Sequence, residues 1–212
     1  MEDKFTHIYE KSIWGKREGK GTSGTGSNVS YSTKFYINLL MKHIQETGSK
    51  NICDIGCGDW EFSQTIDWST IGVVNYTGID CVKSVIDDNN AKYSSTNISF
   101  IQKDAGQIPK GYDFVIIKDV IQHWNDEEVL QILPQIIENN KFVFLTNGYI
   151  FGRCPEKNNW TQRQLDKTYH YHPIDIHKKP LNEIKCKIIN EETYRCKQFI
   201  LLSSQFPIHS SV

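Results

Sequence analysis

The sequence predicts an α/β chain with a mainly parallel sheet and an antiparallel hairpin at its end. Three observations carry that prediction. From residue 33 onward, short apolar runs alternate with segments of helical periodicity. The first apolar run stops in a tight glycine turn, Gly56-Cys-Gly58. The last two runs, Glu183–Asn190 and Arg195–Ser203, are joined only by the polar segment Glu191–Tyr194. Strands separated by helices imply right-handed crossovers and parallel pairing. Two strands joined directly imply a hairpin and an antiparallel edge.

Each element has its own signal. Thr33–Thr47 reads as a helix, with Tyr36, Leu39, Leu40 and Ile44 at helical spacing and Gly48 able to end it. Asn51–Ile55 is the first strand. Val73–Ile79 is the second and ends in Asp80; Ile98–Gln102 is the third and ends near Asp104. Tyr112–Ile117 is the fourth and runs into Lys118-Asp119; Lys141–Thr146 is the fifth. Between the last two lies a helix over Asp126–Glu138, capped by Asn125 or Asp126, with a kink or break expected at Pro134. Residues 1–32 are rich in Gly, Ser and Thr and have two readings, a flexible leader or a lid that orders over a ligand. Phe5, Tyr9 and Trp14 favour docking, because a pure linker rarely carries aromatics. The expected organisation is therefore a lid over 1–32, one α/β domain over 33–204 and a tail over 205–212.

Composition limits the functions available. The 212 residues are 38% hydrophobic and 23% charged, enough for a packed core. The net charge of −1 gives no basic excess of the kind a nucleic-acid surface needs, so no nucleic-acid partner is expected. No stretch is long enough to cross a bilayer, and the opening Met1-Glu-Asp-Lys lacks the apolar core of a signal peptide. The expectation is a cytoplasmic protein whose six cysteines are free thiols and which has no membrane partner. Cys53 and Cys57 have no second close Cys/His pair at zinc-finger spacing.

In an open α/β sheet, ligands bind beyond the carboxyl ends of the strands. Gly56/Gly58, Asp80, Asp104 and Lys118/Asp119 all fall there. The glycines let the backbone turn and let a cofactor approach, and a helix starting nearby would offer free N–H groups. Asp80, 22 residues after Gly58, can accept from ribose hydroxyls, and Asp104 from the exocyclic amine of adenine. A dinucleotide fingerprint needs a third glycine where Glu61 stands. Asp54 before the turn suits a cationic ammonium better than a phosphate. Together these residues point to an adenosine-bearing cofactor with a positive amino-acid end.

With those residues in view, the chain resembles class I methyltransferases that use S-adenosylmethionine (SAM). Ile52–Trp60 resembles that family's first motif, Thr77–Asp80 its second and Lys103–Ala105 its third. The likeness covers about residues 33–204 and implies a Rossmann-like sandwich with a seven-stranded sheet. It implies Asp54 near the methionine ammonium, with Gly56, Cys57, Gly58 and Trp60 forming the turn around the cofactor. It also implies Asp80 on the ribose and Asp104 with Ala105 at the adenine. Lys118 completes the expected cofactor set, and Ser23 and Ser27 would reach it from the lid. Trp60 stands where the family usually has a last glycine.

Lys118–Trp124 follows the fourth strand, where this fold places residues facing the transferring methyl. The Pro-Pro-aromatic turn of adenine and cytosine amino methyltransferases is absent there. Asp119 and His123 are four apart and could face one site on a helical turn. An imidazole, with an unperturbed pKa of about 6.5, suits a general base at neutral pH, and Asp119 is either the base or the group that orients the imidazole. A second polar cluster, Tyr169–His177, follows Asn159–Arg163. His170, His172, Asp175 and His177 are an alternative divalent-metal set. The preferred reading is a polar wall that hydrogen-bonds a polyhydroxy substrate, because no acidic triad is visible for a hard cation.

Trp14-Gly15, Ser23–Ser27, Asp119–Trp124 and Leu145–Asn147 also resemble a narrower group, sugar O-methyltransferase domains associated with glycosyltransferases. In this the chain resembles the methyltransferase domain of a chlorovirus capsid-glycan enzyme. That likeness implies a sugar or glycan acceptor, with Trp14, Trp124, Arg163, His170 and His172 as substrate contacts. It also implies a place in a larger glycosyltransferase polypeptide and, for a viral protein, work in the host cytoplasm. The alternatives are an N-methyltransferase acting on a small amine or protein, a silent SAM-binding partner subunit, and a nicotinamide oxidoreductase.

Overall fold

Residues read as a leader or lid are folded. In the computed structural model, which describes residues 2–104, 106–107, 109–148, 174–195 and 197–204, they open with helix α1 (Glu2–Glu10). Glu2 and Asp3 suit the helix N-terminus, and Ile8 and Tyr9 are buried. Strands β1 (Lys16–Arg17) and β2 (Lys20–Gly21) pair antiparallel across Glu18 and Gly19, whose φ values are 49° and 84°. Positive φ at both central residues is the twist a two-residue hairpin favours.

The chain divides into two compact units, Met1–Gln107 and Ile108–Val212. In the first, α2 (Tyr31–Thr47) starts two residues ahead of the predicted position. Ser30 causes this, its hydroxyl accepting the Thr33 N–H at 3.3 Å. Gly48 ends the helix at φ 62°, and the predicted stripe of Tyr36, Leu39, Leu40 and Ile44 is buried. Strand β3 (Asn51–Ile55) pairs in parallel with β4 (Asn75–Asp80), followed by α3 (Lys83–Tyr93) and by β5 (Ile98–Gln102), parallel to β4.

The helix expected after the glycine turn does not form. The connection from β3 to β4 carries only a 3-10 turn, Ser63–Thr65. Phe62, Ile66, Trp68 and Ile71 are all buried there, which no single helical stripe would achieve. Asp67 competes with helix formation, its carboxylate accepting the N–H groups of Ser69 and Thr70 at 3.1 and 3.3 Å.

The second unit holds β6 (Phe114–Lys118), α4 (Asp126–Asn139) and β7 (Phe142–Gly148), with β6 and β7 parallel. Asn125 and Glu128 form a reciprocal capping box at 2.8 Å each way. The break expected at Pro134 is absent, and α4 runs through it. The carbonyl that a residue there would normally engage belongs to Leu130, which is exposed. Val129, Ile132, Leu133, Ile136 and Ile137 anchor both halves. Strand β8 (Cys186–Tyr194) absorbs the segment read as a linker, and β9 (Lys197–Ser204) pairs antiparallel with both β8 and β7.

Strands β3 to β9 are thus the seven strands of a mainly parallel, Rossmann-like sheet with a C-terminal antiparallel hairpin, as predicted. Among the described residues, no helix is long and apolar enough to cross a membrane. Cys53, Cys57, Cys81 and Cys186 carry free thiols.

Candidate active site

The first unit builds a tight glycine turn at the carboxyl ends of β3 and β4. The N–H groups of Gly56 and Cys57 both donate to Ile79 O, at 2.7 and 3.1 Å. Gly56 and Gly58 hold φ values of 70° and 55°, a region glycine occupies without penalty. The Gly58 N–H donates to Asp80 Oδ2 at 3.1 Å, and the Val82 N–H donates to Asp80 Oδ1 at 3.0 Å. Burial pushes the Asp80 carboxyl up, against these bonds. The Asn89 amide donates to Gly58 O at 2.7 Å and fixes the turn from α3. Asp104 Oδ1 accepts the Gly106 N–H at 3.0 Å, while Ala105 lies outside the described residues.

Trp60 explains its own departure from the family pattern. Its φ is 54°, the left-handed conformation for which glycine is normally chosen. The strain is offset by packing. The ring is 4% exposed and lies 5.6, 5.1 and 5.2 Å from the rings of Tyr76, Tyr93 and Phe100. Its indole N–H donates to Tyr76 OH at 2.8 Å, and Tyr76 OH donates to Asp54 Oδ2 at 2.5 Å. Trp60 therefore reaches Asp54 through Tyr76 and fixes the carboxylate.

The N-terminal segment is seated on the same turn. Ser23 Oγ accepts the Asp59 N–H at 2.8 Å and lies 2.6 Å from Tyr9 OH. A Cβ on Gly58 would come within 2.3 Å of that hydroxyl oxygen, so only glycine admits the seat. Arg17 pairs with Asp59 at 3.2 Å and also with Glu61, the residue in the third-glycine position. Lys20 pairs with Asp88 on α3 at 2.5 Å. Ser27 is buried and donates to Gly24 O at 2.7 Å, which shapes the segment. Burial, with Asp80 second, pushes the Tyr9 phenol well up and keeps it protonated.

In the second unit, Asp119 follows β6 with φ 59°. Its carboxylate pairs with Lys118 at 2.8 Å and with Lys197 on β9. Burial alone would raise the Asp119 carboxyl, but attraction to Lys118 and Lys197, with their hydrogen bonds, holds it down to about 2. The helical-face argument for pairing Asp119 with His123 does not hold locally. Ile121–His123 is a 3-10 turn, with Asp119 ahead of it in a left-handed conformation. His123 is 8% exposed.

The proposed substrate contacts divide. Trp14 is half-buried, with its ring 6.0 Å from Phe5 and 6.2 Å from Tyr9. Trp124 is 1% exposed and belongs to the core. Arg163, His170 and His172 lie outside the described residues, so half of the alternative metal set does too. Of that set, His177 meets Glu191 at 2.9 Å, and Asp175 accepts the His177 N–H at 2.9 Å. Among the described residues, no group of three metal-binding side chains occurs. Sequence reasoning missed Tyr9 as a partner of Ser23, Tyr76 and Lys197. Each meets its partner only through folding, Lys197 across 78 residues.

A family model described as "Methyltransferase domain" matches residues 46–190. A comparison with curated protein sequences gives no match. Among solved structures, magnesium protoporphyrin IX methyltransferase from Synechocystis PCC 6803, with bound SAM, is 15% identical with a TM-score of 0.63. That match covers 96% of this chain and 95% of the other. The methyltransferase domain of bacterial CtHen1 matches at 15% identity and TM-score 0.59, over 81% and 98% of the two chains. The mitomycin 7-O-methyltransferase MmcR matches at 14% and 0.60, over 84% and 59%. With more than half its length inside the family model, and with a glycine turn, an acidic strand end and a closing hairpin in place, the chain belongs to the SAM-dependent class I methyltransferase family.

Proposed function

We propose that this methyltransferase acts on a hydroxyl group of a sugar, a glycan or a similar small polar acceptor. The observation that carries this reading is the state of Asp119. Two lysines hold its carboxyl at about 2, so it is anionic and a poor proton acceptor at neutral pH. The role of base then falls to His123, on the turn that follows. A hydroxyl must lose its proton during transfer, whereas an amine has only to arrive neutral, so a placed base favours oxygen.

The cofactor fits the first unit. Asp80 accepts the Gly58 and Val82 N–H groups on opposite oxygens and would turn a remaining lone pair to a ribose hydroxyl. Asp54, held by Tyr76, would meet a cationic amino-acid end, and Asp104 would accept from the adenine amine. When bound, SAM supplies an electrophilic methyl carbon with a neutral thioether as leaving group. The chain's own residues then bind, orient and move one proton. His123 takes the acceptor's hydroxyl proton as the oxygen forms its bond to carbon. Asp119, paired with Lys118 and Lys197, fixes the backbone that leads into that turn. The N-terminal segment closes over the cofactor through Ser23.

A labelled-methyl transfer screen over mono- and oligosaccharides, with and without Mg²⁺ and chelator, tests this reading. Alkali-stable ether-linked label on a sugar supports it. Label found only on amines supports the N-methyltransferase reading, and SAM binding without turnover on any acceptor supports a silent partner subunit.

A further inference from the structure

We propose that Asn147 is a hydrogen-bonding anchor for a polyhydroxy acceptor, an inference that rests on the acceptor reading above. Asn147 lies near the carboxyl end of β7 and is 1% exposed. Among the described residues, neither its side-chain oxygen nor its side-chain nitrogen makes a hydrogen bond. Its backbone neighbours are tied to the segment that carries the proposed base. Thr146 O accepts the Asp119 N–H at 2.8 Å, and the Gly148 N–H donates to Gln122 Oε1 at 2.9 Å. Asn147 is thus held between two ties to the segment Asp119–Gln122, one residue short of His123.

Three other amides of this unit are engaged, although among the described residues the Asn190 side-chain oxygen is also unbonded. Gln198, the cross-strand partner of Asn147, accepts the Ile176 N–H at 3.0 Å and donates to Glu191 at 2.8 Å. Asn140 donates to Pro109 O and Ile136 O and accepts the Tyr112 N–H. Gln122 accepts from Gly148. An amide with both polar atoms idle, at the sheet end where this fold binds ligands, costs stability that binding can recover. The neighbouring Thr146 hydroxyl is also unbonded, but adjacent strand residues point to opposite faces, so the two do not form one subsite.

The chemistry selects the ligand class. A carboxamide offers two donors and two lone pairs, and each sugar hydroxyl both donates and accepts. An amide at the end of β7 can hold one hydroxyl of a polyol while another is methylated. An acceptor lacking that hydroxyl would leave the amide unpaired and be rejected.

Asn147→Leu keeps the shape and removes both polar atoms. The expected result has three parts: a Tm for the ligand-free protein raised by a few degrees, unchanged SAM affinity by calorimetry, and an acceptor KM raised at least tenfold with methyl glycosides as probes. A lowered Tm, or failure to fold, would show that the amide is a structural group satisfied by buried water, and overturns the proposal. If the wild type methylates a glycoside and the variant does so with unchanged KM, the role of Asn147 fails while the acceptor reading stands. If the wild type methylates no glycoside, the acceptor reading fails and takes the polyol assignment with it.

Discussion

Ser23 Oγ accepts the backbone N–H of Asp59 at 2.8 Å and holds a second hydrogen bond with Tyr9 OH. One hydroxyl therefore fastens the N-terminal segment to the glycine turn. Ser23→Ala removes that fastening and leaves the Tyr9 hydroxyl without this partner. A single neutral hydrogen bond contributes about 0.5–1.5 kcal/mol, so SAM affinity is expected to fall roughly 2- to 10-fold. Calorimetry reads the affinity, and limited proteolysis reads the looseness of residues 1–30. If neither changes, the segment is not a lid.

At Trp60 the usual order of small residues should invert. Removing the indole from its setting among Tyr76, Tyr93 and Phe100 should cost about 3–5 kcal/mol. Glycine relieves the φ of 54° and alanine does not. Trp60→Gly is expected to be more stable than Trp60→Ala by about 1 kcal/mol in urea denaturation. An alanine variant that matches or exceeds the glycine one would show that the backbone there is not strained.

The Asp119 carboxyl has a pH signature. Its folded pKa, about 2, lies below its ordinary value, so it stabilises the fold fully above the ordinary value. That contribution, about 2 kcal/mol, is lost as pH falls from about 4 through 2. Asp119→Asn is expected to be less stable than wild type at pH 7, with the gap narrowing across that window. Equilibrium unfolding at several pH values measures it, and a constant gap contradicts the ion pairs.

His123→Ala is expected to lower kcat by about 10²- to 10⁴-fold while leaving SAM affinity unchanged. The pH profile of the residual activity should lose its acidic limb. Full turnover in this variant would remove His123 from the chemistry and return weight to an amine acceptor.

The parts of the fold that were legible in the sequence are those set by local patterns. Strands β3 and β5 have the predicted boundaries because each is a short apolar run ended by turn residues. The buried stripe of α2 follows from spacing alone. Strand β8 grew beyond its predicted end because Glu192, Thr193 and Tyr194 find partners on β9, a tertiary gain that local polarity hides. The missing helix between β3 and β4 had a local cause, the Asp67 turn, but its buried aromatics serve contacts made elsewhere. In the site, the glycines and acids were readable because their chemistry is tied to strand ends. The state of Asp119 was not, because it depends on Lys197 in another strand.

Tyr9, with Phe5 and Trp14, packs against Val82, Val85 and Cys81. The last three lie inside the stretch the family model matches, and the first three lie ahead of it. The borders of the family are therefore not the borders of the cooperative folding unit. A chain trimmed to begin at residue 46 would leave the start of α3 wet and oily, and the glycine turn would lose the segment fastened to it. For this enzyme, the support of the glycine turn reaches beyond the stretch by which the family is defined.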